Sequence, residues 1–246
     1  MKKLFSLIVL LSFTIKAQDV TIGRQTWTGK NLDLESYRNG DAIPQVQDKK
    51  AWSNLKTGAW CYYENKTANG TTYGKLYNWY AVIDPRGLAP EGYHIPTDEE
   101  WTILSENLGD EAGTKMKSRS GWSSYSSLGS YEKTCPNCSK WSEGYRDKFF
   151  CHTCNGNRSV TAYEPKKTHS GNGTNTSGFN GLPGGFRYPD GGFLNVGWTG
   201  YWWSSSEDNS NFAWNRYLVN DNGSMVRPRI SVAFKQDGFS VRCIKD

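Results

Sequence analysis

The sequence predicts one α+β domain with long irregular loops, and three observations lead there. Its 11 Trp, 14 Tyr and 26 Gly, with only 3 Met, describe a core filled by large rings at few positions and a chain that turns often. A single stretch, 97–109, carries complete helix start and stop signals. From residue 184 onward, short aromatic segments alternate with Asn, Asp and Gly, the pattern of strands joined by tight turns.

The first residues have a separate explanation. Met1, Lys2 and Lys3 precede an uncharged run from Leu4 to Ile15, followed by Lys16, Ala17 and Gln18. This is the layout of a secretory signal peptide, expected to span 1–17 and to leave a mature chain of 18–246; the run is too short to span a bilayer. Its removal takes three lysines and no acid, so the formal charge falls from +5 to +2. Such a small excess gives no electrostatic reason to expect nucleic acid or an anionic membrane surface as partner.

In chain order, Asp19–Trp27 and Gly58–Tyr63 read as strands, with a polar surface loop over 36–57 between them. Gly74–Val82 is aromatic and reads as a short helix ending before Asp84, Pro85, Arg86 and Gly87. Thr97 is placed as an N-cap with Glu100 completing a capping box. Trp101, Leu104 and Leu108 then share one face, and Gly109 supplies the stop, so a helix is expected over Asp98–Leu108. Residues 123–178 break the pattern and read as an insertion, and 184–246 as mostly antiparallel strands.

The insertion carries the most chemical signal. Cys135 and Cys138, then Cys151 and Cys154, form a CxxC, twelve-residue, CxxC array. That spacing lets four thiolates close on one tetrahedral Zn²⁺, the zinc-ribbon pattern, within a small module over 130–160. With four sulfur ligands the metal has no open position, so its role would be structural. An exported chain also meets an oxidising compartment, where the same cysteines can form two disulfides, and redox-active thiols are a third possibility. His152 reads as a bystander. Trp141, Phe149 and Phe150 give the module little to bury, so metal or crosslinks would supply its folding energy.

Several blocks together resemble a known family: YGKLYNWYAV (73–82), PRGLAPEGYHIPTDEEWTIL (85–104), SGFNGLPGGFR (177–187), GYWWSSSED (200–208), AWNRYL (213–218) and GFSVRCIKD (238–246). In order and spacing they are similar to the Fibrobacter succinogenes major paralogous domain, a family of exported bacterial proteins. The resemblance implies a C-type-lectin-like fold, related to the formylglycine-generating enzymes and to variable proteins diversified by retroelements. Such a fold has two helices on a twisted antiparallel sheet, with the terminal strands side by side. It does not name a ligand. Because that fold brings the chain ends together, a Cys61–Cys243 disulfide is expected, with two buried free thiols as the alternative.

Function reads as binding. No phosphate loop, HExxH helix or Ser/His/Asp context appears; His94 and the Glu99–Glu100 pair belong to the helix start. Among the aromatics of 187–233, Trp202, Trp203, Trp214 and Tyr217 are expected in the core. Trp198, Asn209, Asn211, Asn220, Asn222, Met225 and Arg229 are the candidate ligand face, where rings and amides suit a surface glycan or a protein epitope. Glu207, Asp208, Asn209 and Asp221 offer oxygen ligands for Ca²⁺, although the Glu-Pro-Asn motif of sugar-binding lectins is missing. The alternatives are a passive envelope or matrix protein and, less favoured, a formylglycine-generating-like enzyme.

Overall fold

The computed structural model describes residues 18–127, 130–136, 159–163, 166–228 and 233–246. The expected signal peptide, 1–17, lies outside them.

The strand expected over Asp19–Trp27 is a hairpin. Gly23 takes φ +61°, a left-handed conformation that turns the chain between β1 (Val20–Ile22) and β2 (Gln25–Trp27). The last strand of the chain, β15 (Ile244–Lys245), pairs antiparallel with β2 through Ile244 and Trp27, and on its other side with β5 (Tyr93–His94). The terminal strands are therefore side by side, in the order β1-β2-β15-β5.

The segment expected as a loop over 36–57 contains a helix, α1 (Lys49–Ser53), capped by Asp48 Oδ1 accepting from Ala51 N at 2.7 Å. Trp52 anchors it: the ring is fully buried and its Nε1 donates to Gln236 O at 2.9 Å. The polar flanks hid this helix, because one buried tryptophan shows no period. β3 (Trp60–Cys61) follows, and after it a one-turn 3-10 segment and α2 (Thr67–Tyr73).

The Gly74–Val82 block divides at Asn78 into strand and helix. β4 (Leu76–Tyr77) pairs with β3, and Asn78 then caps α3 (Trp79–Val82) by accepting from Ala81 N at 3.1 Å. The helix α4 (Asp98–Leu108) has the expected bounds, with the Thr97–Glu100 capping box formed and Trp101 and Leu104 fully buried. A short helix with no strong sequence signal, α5 (Ala112–Met116), comes next.

Two nested antiparallel pairs follow: β6 (Tyr125–Ser127) with β9 (Lys167–His169), and β7 (Ser130–Thr134) with β8 (Ser159–Tyr163). The remaining strands, β10 (Gly184–Arg187), β11 (Phe193–Val196), β12 (Thr199–Glu207), β13 (Phe212–Val219) and β14 (Ala233–Phe234), form a five-stranded sheet. Its order is β11-β10-β12-β13-β14, antiparallel except where β10 meets β12 at Gly185 and Gly200. The chain is thus a strand-dominated α+β domain.

Strand alternation divides the core between the faces of this sheet. Trp202 and Leu218 point toward α4 and pack with Trp27, Trp101, Leu104 and Phe179. Tyr201, Trp203 and Ala213 point the other way, toward Tyr77, Trp79 and Phe239. Trp202 and Trp203 are core residues, as expected, whereas Trp214 and Tyr217 are only half buried.

Candidate functional site

The second face is not closed along its whole length. Tyr201 on β12 and Tyr217 on β13 are directly opposed in the ladder, with ring centroids 5.3 Å apart. Phe186 of β10 packs 4.8 Å from Tyr201, and Phe239 stacks on it at 4.9 Å. Between these rings, Asn215 and the β14 residue Phe234 lies a cleft of about 480 Å³, within the size range of small-molecule sites. Tyr188 and Phe234, each about two-fifths exposed, are its outermost rings (42% and 40%).

Asp237 also lines this cleft. A turn closed by its own N–H to Phe234 O at 2.8 Å holds it there. The next residue, Gly238, exchanges backbone hydrogen bonds with Arg187 at 2.8 and 3.0 Å. A Cβ on Gly238 would sit 3.0 Å from both Arg187 Cβ and the Trp52 ring, so this approach is tight. Asp237 is 4% exposed, and its Oδ1 is buried with no hydrogen-bond partner. Burial pushes the carboxyl well above the ordinary aspartate range, against a smaller opposing effect of a Phe234 backbone hydrogen bond.

Two cations near in sequence are committed elsewhere. Arg187 is fully buried and donates to Val46 O at 2.6 Å, Gln47 O at 2.8 Å and Gly191 O at 3.2 Å, with its guanidinium over Trp52. Lys235 pairs with Glu207, donates to Ser210 O at 3.0 Å and lies over the Trp79 ring. The cleft therefore presents ring surface, an amide and one carboxyl that lacks a counter-charge.

A second cavity, of about 460 Å³, is walled by Asn31, Tyr73, Asn180 and Arg242. Its arginine serves the fold, because the fully buried Arg242 donates to Asn31 Oδ1 at 2.7 Å, to Thr28 O and to Asn180 O at 3.3 Å. Burial lowers its guanidinium to about 9.

The ligand face expected from the sequence is not assembled in one place. Trp198 is 51% exposed and Asn222 is exposed, both at one end of the β12–β13 ladder. Asn209 and Asn211 occupy the turn at the other end, where Asn209 Oδ1 accepts from Asn211 N at 2.9 Å and Phe212 N at 3.2 Å. Two residues do not belong on a ligand face at all. Asn220 is buried and donates from Nδ2 to Ser123 O at 3.0 Å, while Met225 packs in the core beneath α4. Arg229 lies outside the described residues.

The calcium donors are likewise separated. Glu207, Asp208 and Asn209 precede β13 and Asp221 follows it, so an eight-residue strand, about 26 Å, keeps them apart. Among the described residues, no group of three or more His, Cys, Asp and Glu is placed to hold a metal ion.

Of the zinc set, Cys135 is described and buried, directly after β7; Cys138, Cys151, Cys154, His152, Trp141, Phe149 and Phe150 lie outside the described residues. The expected Cys61–Cys243 bridge is not formed. Both are buried thiols in different core clusters, Cys61 with Trp52 and Leu76, Cys243 with Tyr77 and Trp203. Burial pushes both to about 12.

Tyr201, Tyr217 and Phe186 fell within or beside aromatic blocks read from the sequence, but Asp237 was missed. The signal available was an acid placed between Lys235 and the apolar block that begins at Gly238.

A family model described as the Fibrobacter succinogenes major domain matches residues 20–245. The chain belongs to this family. No curated protein and no solved structure matches it.

Proposed function

We propose that this member of the Fibrobacter succinogenes major domain family is an exported, non-catalytic binding protein that takes its ligand in the aromatic cleft over β12 and β13. The observation that carries the reading is the cleft itself, an opening of about 480 Å³ in an otherwise ring-packed sheet face, with one unpartnered carboxyl oxygen, Asp237 Oδ1, in its wall. Rings supply flat apolar area, and Asn215, Tyr188 and Tyr217 supply directional polar groups, the combination that suits a surface glycan or a protein epitope. A C-type-lectin-like scaffold is the proposed fold, supported by the paired terminal strands and by α4 packed on the main sheet. Against a formylglycine-generating-like activity stands the burial of Cys61 and Cys243, which keeps both protonated at neutral pH.

In the insertion, the proposed role of Cys135, Cys138, Cys151 and Cys154 is a structural zinc site, with two disulfides as the alternative. The reading is supported by β7 and β8, which pair Thr134 with Ser159 and so close the segment holding all four cysteines. Elemental analysis expects one zinc per chain. Chelation is expected to loosen residues 130–160 while the circular-dichroism melt of the remainder is unchanged.

The test of binding is a glycan and surface-protein array, run with and without calcium. Specific hits that Tyr217→Ala removes and Trp198→Ala leaves intact support the cleft. Hits lost only with Trp198→Ala move the site to the exposed end of the ladder, and a blank array from folded protein favours a passive envelope or matrix role.

A further inference from the structure

We infer that the cleft over β12 and β13 recognises an organic ammonium group, seated among the Phe186, Tyr201 and Tyr217 rings with Asp237 as its counter-charge. The inference rests on the binding reading above and goes further by naming the chemistry of the bound group.

A carboxyl that is 4% exposed, with one oxygen lacking any hydrogen bond, is an expensive feature for a stable fold to keep. Elsewhere among the described residues buried charges are satisfied: Arg187 with backbone carbonyls, Arg216 with Asp98, Lys75 with Asp33 at 2.6 Å. Asp237 is the exception, and it lies in the wall of an open cleft rather than in closed core. The rest of the lining is mostly aromatic, with Asn215, Pro228 and Ala233 among the rings. Ring faces attract cations through their quadrupole, most strongly where water is excluded, and a ring of aromatics around one acid is the arrangement that binds quaternary ammonium groups. A neutral sugar would use the rings but would leave the carboxyl without a counter-charge. A metal ion would need more oxygen ligands than the cleft supplies, since Asp237 is the only acid among its described lining residues. A bulky, weakly hydrated cation fits both halves of the site.

The same chemistry predicts how binding depends on pH. Arg187 and Lys235 are committed to their own partners, so Asp237 is the acid that faces a permanently charged ligand. Affinity for a quaternary ammonium ion should rise with pH as Asp237 loses its proton.

The probes are choline and its uncharged isostere 3,3-dimethyl-1-butanol, titrated against the mature chain and followed by calorimetry and by tyrosine and tryptophan fluorescence. Choline is expected to bind about tenfold or more tighter than the isostere. Its affinity should increase from pH 5 to 8, and Asp237→Asn should abolish the preference without lowering the melting temperature. If choline and the isostere bind equally, with both lost in Tyr217→Ala, the cleft stands as a binding site and the ammonium assignment is overturned. If neither probe binds and array hits are also indifferent to Tyr217→Ala, both the assignment and the cleft reading fail. The pH series on unaltered protein keeps the test decisive even where a variant misfolds: a choline affinity flat with pH overturns the role of Asp237.

Discussion

The two faces of the β12–β13 ladder treat buried charge in opposite ways. On the α4 side, Arg216 is 1% exposed and bonded through both terminal nitrogens. It pairs with Asp98 and donates to Asp98 O at 2.9 Å, Thr102 Oγ1 at 3.0 Å and Asn215 O at 3.1 Å. Arg227, stacked over Trp214, adds a second contact to the same carboxylate at 2.8 Å. On the cleft side, Asp237 is buried to a similar degree and has an oxygen with no partner. A satisfied pair locks a helix onto a sheet, whereas an unsatisfied acid beside open space keeps its interaction capacity for something outside the chain.

The largest expected effect separates the faces by packing. Trp202→Ala on the sealed face, where the ring is 1% exposed and Nε1 bonds Asn31 Oδ1 at 2.9 Å, should cost about 3–5 kcal/mol in denaturant unfolding. Tyr217→Ala, at the edge of the cleft, should cost about 1 kcal/mol. Equal losses would mean that the cleft face is as structural as the other.

Next is Asp98→Asn, which leaves the Arg216 guanidinium buried without its counter-charge. The expected loss is about 3 kcal/mol, the lower end for a broken buried pair because Arg216 keeps three neutral acceptors. A loss below about 0.5 kcal/mol, the range of surface substitutions, would remove the contrast with Asp237.

Asp237→Asn should act in the opposite direction, and through pH. Folded Asp237 binds its proton at a higher pH than the unfolded chain does, so its contribution is full below about pH 4 and is lost as pH rises through the folded value. The variant should match the parent near pH 4 and exceed it by about 1–3 kcal/mol at pH 8. Parallel pH profiles would show that the parent carboxyl already has a partner.

The smallest effect belongs to His94, which bridges Glu100 at 2.8 Å and Asp246 at 2.7 Å and so ties the start of α4 to the C-terminal strand. Burial pulls its imidazolium down, but the hydrogen bonds to Asp246 and Glu100 outweigh this and leave it raised. Its stabilisation is therefore full below about pH 6.5 and fades as pH rises through the folded value. His94→Gln should lower the melting temperature at pH 5.5 and change it less at pH 9; an equal shift at both would assign the residue a packing role only.

How much could be read in advance depended on the range of the interactions involved. The Thr97–Glu100 cap, the α4 bounds and the strands at 184–187, 199–207 and 212–219 were legible because caps, periods and turn residues act within a few positions. The α1 helix was not, since its reason for existing is Trp52 reaching Gln236. Asn220 and Asn222 are two residues apart and chemically identical, yet one is core and the other is surface because Asn220 meets Ser123 from the far side of the insertion.

By itself the sequence determined the α+β class, the family, the capped helix and the aromatic character of the core, all of them carried by local pattern or by blocks in order. Only the tertiary structure decided that Cys61 and Cys243 sit in separate clusters, that the asparagines divide between two ends of one hairpin, and that Asp237 lines a ring-walled cleft. Each of these depends on which strands pair and in what register, and a shift of one position would have turned Tyr201 and Tyr217 to the sealed face.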